Sequence, residues 1–424
     1  MTADTAEKVR TLIRRMAANP RWWVLAACYL AVFATTAGFS QRPTGDALEY
    51  RQIAAAAPNL PTQPVSSAYA GRFAIHYVVG LLSNLTGLSL DRAYDLVWAA
   101  LVFVLFLVIF ALFSGLDVGG FALCAALFVF NPYSLRPYIL QAGLLEAILF
   151  IIGIGICLVG LTRQATLCVI AGLIVAVLGR QTAILVAPVA AAWVLIDPAW
   201  RQAIQRRTAW LTAFFSLTAT FVIYVGFKLW SARFSTYFEP TAFHNSIFNL
   251  VADLPNAIFE LAAHFARTAI PLAVPLAVFT TLVALVGWRR VAAPCWGSLL
   301  IALAIVVQPA LTDPRFPGAA HNEQRQAALA LLPLVCAVAG LLSQTCRRSP
   351  GPSRVVLIVA LLAAASLHHE YTAIGPKTLP QFVGIQLLVA VAVAGVLAFD
   401  RRPCLTPHEG QCNGADCYNA TGAD

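Results

Sequence analysis

Charge is what this chain has least of. Asp, Glu, Lys and Arg make up 11% of its 424 residues, against about 25% in soluble globular chains. Its composition is 60% hydrophobic, with a mean hydropathy of +0.77. A soluble domain has no means of covering that much apolar surface without a polar coat. Soluble enzymes are therefore excluded, and so are disordered and fibrous chains. Internal repeats, heptads and low-complexity runs are also missing, which leaves an inverted-repeat transporter without its usual sequence signature.

What the sequence does have is many apolar runs of bilayer-crossing length. They predict an all-α, polytopic transmembrane helical bundle with about 12 spans: 22–39, 93–114, 117–131, 140–160, 165–179, 182–197, 208–230, 268–288, 294–311, 326–344, 353–369 and 381–398. The first run follows a basic leader (1–21), is too long for a cleaved signal and is expected to stay as a span. The transmembrane part covers 22–398, and a polar tail, expected to be disordered, covers 399–424. Three hydrophilic stretches lie between spans: 40–92, 231–267 and 312–325.

Paired arginines mark the short connectors: Arg206 and Arg207, Arg289 and Arg290, Arg347 and Arg348, Arg401 and Arg402. Twelve spans put all of them beside the basic leader, on the cytoplasmic side. Both termini are then cytoplasmic, the three larger stretches face outward, and the chain sits in the cytoplasmic membrane. The formal charge of +9 follows from that bias and gives no reason to expect a nucleic acid partner. Residues 72–88 tempt a further span, but counting it would split the arginine pairs between sides. They are expected to form an amphipathic helix at the outer interface.

Several polar residues near the outer side stand out. In GDALEYRQIA, a helix starting near Asp46 places Asp46, Glu49 and Tyr50 on neighbouring positions of one face. Asp46 would serve either as a helix cap or as a base for an incoming hydroxyl, its pKa lifted by low-dielectric surroundings. Arg72 opens the interfacial helix, with His76 on the same face. Glu146 and Arg180 each need a reason at membrane depth, and pairing with one another is one. In DPRFPGAAHNEQRQAALALLPL, Arg325 stands at the entrance of a helix, with His321 and Glu323 close by. An arginine fork there suits a phosphate, or else snorkels to headgroups. The tail cysteines Cys404, Cys412 and Cys417 match no metal-site spacing.

This layout resembles the GT-C superfamily of membrane glycosyltransferases, in particular the polyprenyl-phosphate-sugar mannosyltransferase and aminoarabinose-transferase types. The likeness rests on five features within 22–345: GDALEYRQIA as a first juxtamembrane helix after the first span, RFAIHYVVGLLSNLTGLSLDRAYDL as a second, Asn131-Pro132 at a span exit, Arg180 in GRQTAILVAP, and Arg325 in EQRQAALALLPL. Glu49 is not a clean second acidic ligand, and Gln326 stands where the family has an aromatic residue, so the subfamily stays open. The resemblance implies inverting sugar transfer, on the outer face, from a polyprenyl-phosphate-linked donor to a lipid or glycan acceptor. Asp46 would be the base, and Arg325, Arg180 and Arg72 would hold the donor phosphate. Glu49, Tyr50, His76, Glu146, His321 and Glu323 would support or bind substrate. No metal ligand is assigned and no cofactor is obligate, with a divalent cation an open alternative; membrane lipid is the surrounding partner. The other readings of the sequence are a glycan enzyme of the O-antigen polymerase or ligase type, and a lipid or solute transporter.

Overall fold

A computed structural model of the chain describes residues 18–36, 46–141, 143–203, 206–235, 254–312, 325–344, 351–368, 372 and 379–398, together with Glu7. Among them the elements are helical, and β pairing is limited to single bridges, Thr36 to Thr372 and Val65 to Ser235. Local signals set the boundaries. Helix α1 (Pro20–Thr35) starts behind an Asn19 cap that accepts from Arg21 N, with Pro20 in the first turn where no amide hydrogen bond is lost. Helices α2 (Asp46–Ala56) and α3 (Phe73–Thr86) follow, and α3 stops at Gly87, whose φ of 70° favours glycine. Ser89 caps α4 (Leu90–Phe113), and Asp117 caps α5 (Val118–Val129) by accepting from Gly120 N at 3.0 Å. A single helical turn, α6 (Arg136–Leu140), precedes α7 (Leu145–Thr162) and α8 (Thr166–Gly179). Then come α9 (Ala183–Ile196), α10 (Pro198–Ala203), α11 (Arg206–Ser231), α12 (Leu254–Val286) and α13 (Ala293–Thr312). The last helices are α14 (Leu331–Gln344), which Arg325 leads into through a 3-10 turn at Ala328–Ala330, α15 (Pro352–Ser366) and α16 (Leu379–Ala398).

Six of the described helical stretches are long and apolar enough to cross a membrane: Leu90–Phe113, Leu145–Thr162, Arg206–Ser231, Phe265–Val286, Arg325–Gln344 and Pro380–Ala398. Shorter apolar helices stand among them. The chain is a helical membrane protein.

Helix α7 is the centre of the bundle. Its apolar window is 78% buried, against 22% for α4 and α11, whose outer faces lie on the surface. It packs on α3, α4, α8, α9 and α14. The contact with α8 is a seam of small residues. A Cβ on Gly153 would sit 2.2 Å from Ala176 N, and one on Gly172 would sit 2.3 Å from Cys157 N. At Gly160 the distance would be 2.5 Å to Val169 N, and at Gly179 2.5 Å to Glu146 O. Such close backbones gain dispersion contacts that bulkier side chains would forbid. The consequence is positional: the end of α8 is fixed against the start of α7.

The two ends of the bundle differ. At one, Arg21 donates from Nε and Nη2 to Leu116 O (3.0 and 2.7 Å), and Arg163 Nη2 to Ala111 O (2.7 Å). Trp200 Nε1 donates to Leu161 O there (2.9 Å), docking α10. At the other end α2 and α3 lie together beside the N-terminus of α7. Their contact is tight: a Cβ on Gly80 would meet Ala54 O at 1.9 Å.

Two sequence expectations need correction. The predicted span 140–160 is interrupted: helix ends at Leu140 and restarts at Leu145. Gly143 lies against α2, where its Cβ would be 2.7 Å from Ala47 Cβ, so the chain bends there to admit α2. The stretch 231–267 is not all loop either. From Leu254 onward it belongs to α12, in keeping with the strong helix formers in LPNAIFELAAHFAR.

Candidate functional site

Helix α2 contributes Tyr50 through its buried face, where Ala47, Tyr50, Ile53 and Ala54 recur at helical spacing. Helix α3 contributes Arg72, at its cap, and His76, which is fully buried. The Tyr50 and His76 rings stack at 4.0 Å with their planes 7° apart. Arg72 Nη1 donates to the Tyr50 hydroxyl at 3.3 Å. Tyr94, on α4, closes the layer: its hydroxyl lies 3.1 Å from His76 Nδ1 and 3.3 Å from Tyr50 O.

The α7–α8 seam delivers the charged pair. Glu146 stands in the first turn of α7, and Arg180 follows directly on Gly179 at the end of α8. Their side chains are 1% and 6% exposed, with Arg180 Nη2 3.7 Å from Glu146 Oε1. Glu146 Oε2 is 3.5 Å from His76 Nε2, at the outer limit of hydrogen-bond distance, and neither atom makes a hydrogen bond. His76 Nδ1 pairs with the Tyr94 hydroxyl, the donor being set by the ring tautomer. Gln181 Nε2 donates to Gly71 O at 3.3 Å, which ties the residue after Arg180 to the residue before Arg72.

The electrostatics are lopsided. Arg180 is acted on by Arg72 and Arg325, both like-charged, and by the carboxylate of Glu146. Arg325, at the start of the helix leading into α14, also acts on Tyr138 of α6, as do Arg180 and Glu146. Arg72 and Arg325 thus both lie within electrostatic reach of Arg180, and Glu146 is acted on by Arg180 and Arg72. Burial depresses the pKa of His76, opposed by Glu146, so the ring is neutral at pH 7 and adds no cation. Burial first, then the Glu146 charge, pushes Tyr50 up to about 12, while Arg72 and Arg180 pull it back. Its phenol keeps a proton to donate. Buried polar atoms here make no hydrogen bond: Arg180 Nε, Glu146 Oε2, His76 Nε2 and the Tyr138 hydroxyl. Desolvated groups of this kind are costly unless something pairs with them. Arg180 Nε and the Tyr138 hydroxyl can each donate to a further oxygen, whereas Glu146 Oε2 can only accept.

The sequence candidates fare as follows. Tyr50, Arg72, His76, Glu146, Arg180 and Arg325 come together from five helices or their ends, and the Glu146–Arg180 pairing is observed. Glu49 is on α2, one residue before Tyr50, with Oε2 buried and without a hydrogen bond. Asp46 opens α2, one turn ahead of Tyr50; its side chain lies outside the described residues, as do His321 and Glu323. Asn131 of the Asn-Pro pair accepts from Tyr133 N at 3.1 Å and donates to Pro271 O at 2.6 Å, a structural tie to α12.

Sequence reasoning missed three residues. Tyr94 and Tyr138 sit in apolar segments where tyrosine reads as core. Trp98 Nε1 holds the Tyr138 carbonyl at 2.9 Å. The third is Arg136, 1% exposed, which donates to Val32 O (3.4 Å), Thr36 Oγ1 (3.2 Å) and Ser366 Oγ (3.0 Å) at the ends of α1 and α15. A lone arginine inside NPYSLRPYIL was the available signal. Its partners are neutral oxygens near helix C-termini, which favour a cation, and it fastens α6 to both helices.

Among the described residues, no three His, Cys, Asp or Glu side chains gather as metal ligands would. No family model matches the chain, and neither does any curated protein or solved structure.

Proposed function

We propose that the protein is an inverting membrane glycosyltransferase of the GT-C type, taking its sugar from a polyprenyl-phosphate donor at the outer face of the cytoplasmic membrane. The observation that supports this reading is buried Arg180, 3.7 Å from Glu146, with the like charges of Arg72 and Arg325 acting on it. Guanidinium forks suit the monophosphate of such a donor.

In the reaction, Asp46 removes the proton of the acceptor hydroxyl as its oxygen attacks the anomeric carbon. The bond between that carbon and the phosphate oxygen breaks on the opposite side, inverting the centre. The electron pair leaves with the lipid phosphate, whose charge the arginines stabilise. That leaving group needs no general acid. Tyr50 donates toward the same charge, and Glu146 keeps Arg180 and His76 in place. No step calls for a divalent cation, and one would compete with the arginines for the phosphate.

The twelve-span arrangement belongs to this reading. It places α1, α4, α5, α7, α8, α9, α11, α12, α13, the Arg325–Gln344 helix, α15 and α16 across the membrane and leaves α2, α3 and α6 at the outer interface. Arg21, Arg163 and Arg201 then share the cytoplasmic end, as the positive-inside rule requires. The arginine cluster lies at the end nearest the flipped donor.

The test uses membranes containing the wild type or Asp46→Asn, given radiolabelled polyprenyl-phosphate hexoses with native lipids as acceptors. Transfer by the wild type and its loss in the correctly inserted variant are expected. Wild-type rates in Asp46→Asn would remove Asp46 as base. Solute flux across proteoliposomes without a new glycosidic bond would replace the enzyme with a transporter.

A further inference from the structure

At the end opposite the arginine cluster, α9, α10 and α11 enclose a cleft of about 290 Å³, lined by Leu195, Arg201, Arg206, Ala209 and Trp210. Helix α9 leaves the cluster near Arg180 and reaches the cleft at Leu195, about 20 Å away at the helical rise. The cleft is therefore separate from the proposed transfer site. Its volume lies at the low end for small-ligand pockets, enough for a headgroup and too little for a lipid-linked glycan.

The lining is cationic. Arg201 donates from Nε and Nη2 to Leu195 O at 3.1 and 3.0 Å. Those bonds fix the plane of the guanidinium and leave Nη1 as a donor. Arg206 and Arg207, at the start of α11, are exposed. Asp197 is the only acidic residue between Ala147 and Phe238. It is 5% exposed, and its oxygens already accept from Trp193 Nε1 and Ala199 N, both at 3.0 Å.

An apolar track starts at the same place. Along α11, Trp210, Phe214, Leu217 and Phe221 are 56%, 60%, 41% and 58% exposed. Their spacing of four, three and four residues puts them in one stripe running from the cleft toward the middle of the bundle. Two arginines at one end of an exposed aromatic stripe are complementary to a molecule with an anionic head and a long apolar tail.

We infer that this cleft binds an anionic glycerophospholipid, its phosphate diester held by Arg201 and Arg206 and one acyl chain laid along Trp210, Phe214, Leu217 and Phe221. The lipid covers the apolar face of α11 and ties it to α9 and α10. The shared chemistry is a phosphate; the source is a lipid, because a free anion makes no use of the stripe.

Native mass spectrometry of the purified full-length protein tests this with phosphatidylglycerol, phosphatidylcholine of the same acyl chains, and inorganic phosphate. The wild type is expected to bind phosphatidylglycerol about thirtyfold more tightly than phosphatidylcholine, in line with two arginines at a lipid surface. Arg201→Gln/Arg206→Gln is expected to remove that preference. Arg289→Gln/Arg290→Gln, which loses the same charge at the exposed turn after α12, is expected to keep it. If the double variant does not fold, Arg206→Gln alone gives the same readout with a smaller loss. Equal binding of the two lipids, equal losses in both arginine-pair variants, or displacement of phosphatidylglycerol by millimolar inorganic phosphate would overturn the inference. Sugar transfer enters none of these readouts.

Discussion

Substituting Gly179 by alanine tests the seam that builds the candidate site. The added Cβ would lie 2.5 Å from both Glu146 O and Phe150 N, and 2.9 Å from Phe150 Cα. All three are backbone atoms of α7, so no side chain can swing aside. Restoring ordinary contact requires the end of α8 to move by about 1 Å, and overpacking of this kind costs about 1–3 kcal/mol. Arg180 is the next residue and stands 3.7 Å from Glu146, so the same movement pulls the pair apart. Gly226→Ala is the control: that glycine lies within α11 with nothing within 4 Å of the added carbon, and alanine there gains up to about 1 kcal/mol of helix propensity. Unfolding of both variants in detergent, followed by helical circular dichroism, supplies the comparison. Gly179→Ala should unfold earlier than the wild type and Gly226→Ala no earlier. Equal midpoints for the two variants would refute the claim that backbone contact at Gly179 positions Arg180.

The charge balance yields a second expectation. Glu146→Gln leaves Arg72, Arg180 and Arg325 to repel one another, whereas Arg180→Gln leaves Glu146 still facing Arg72. The first should lose about 3 kcal/mol and the second less; thermal unfolding in the reverse order would contradict the arrangement. His76 gives a pH signature. Its folded pKa lies below the ordinary value near 6.5, so the unfolded chain binds the extra proton as pH falls through that value. The stability it contributes is full above pH 6.5 and declines below it, by at most about 1.4 kcal/mol per pH unit. His76→Gln should flatten the fall in melting temperature between pH 7 and pH 5, and identical slopes would remove His76 as the titrating group. Tyr50→Phe keeps the ring stacked on His76 but loses the Arg72 contact. It should change stability by less than about 1 kcal/mol while lowering sugar transfer at least tenfold; undiminished transfer would leave Tyr50 a packing residue.

Much of the fold was legible because the bilayer imposes long apolar helices whatever the function. The Ser89 and Asp117 caps and the proline at the start of α1 are local signals, and they mark boundaries within a few residues of those read from hydropathy. The break near Gly143 was not legible, since its cause is the approach of Ala47 from a helix almost a hundred residues earlier. The start of α12 was missed because a hydropathy reading treats any polar stretch as loop. In the site, charged residues were found readily: Arg72, Glu146, Arg180 and Arg325 are conspicuous where charge is scarce. Tyr94, Tyr138 and Arg136 were not, as a tyrosine is ordinary in a helical core and Arg136 gains its meaning only from the ends of α1 and α15. The four glycines of the α7–α8 seam are spaced seven apart in each helix (153 and 160, 172 and 179), but that spacing does not say which helix they face, and only the packing shows that they bring Glu146 and Arg180 together.

If the arginine cluster receives the phosphate of a prenyl lipid, the purified protein binds unglycosylated polyprenyl phosphate. Wild type, Arg180→Gln and Arg325→Gln would be titrated in the same detergent, with the uncharged polyprenol as reference. Binding of the phosphate but not the alcohol, weakened about tenfold or more by either substitution, is the expected result. Equal binding of phosphate and alcohol, or affinities untouched by both substitutions, would contradict the account.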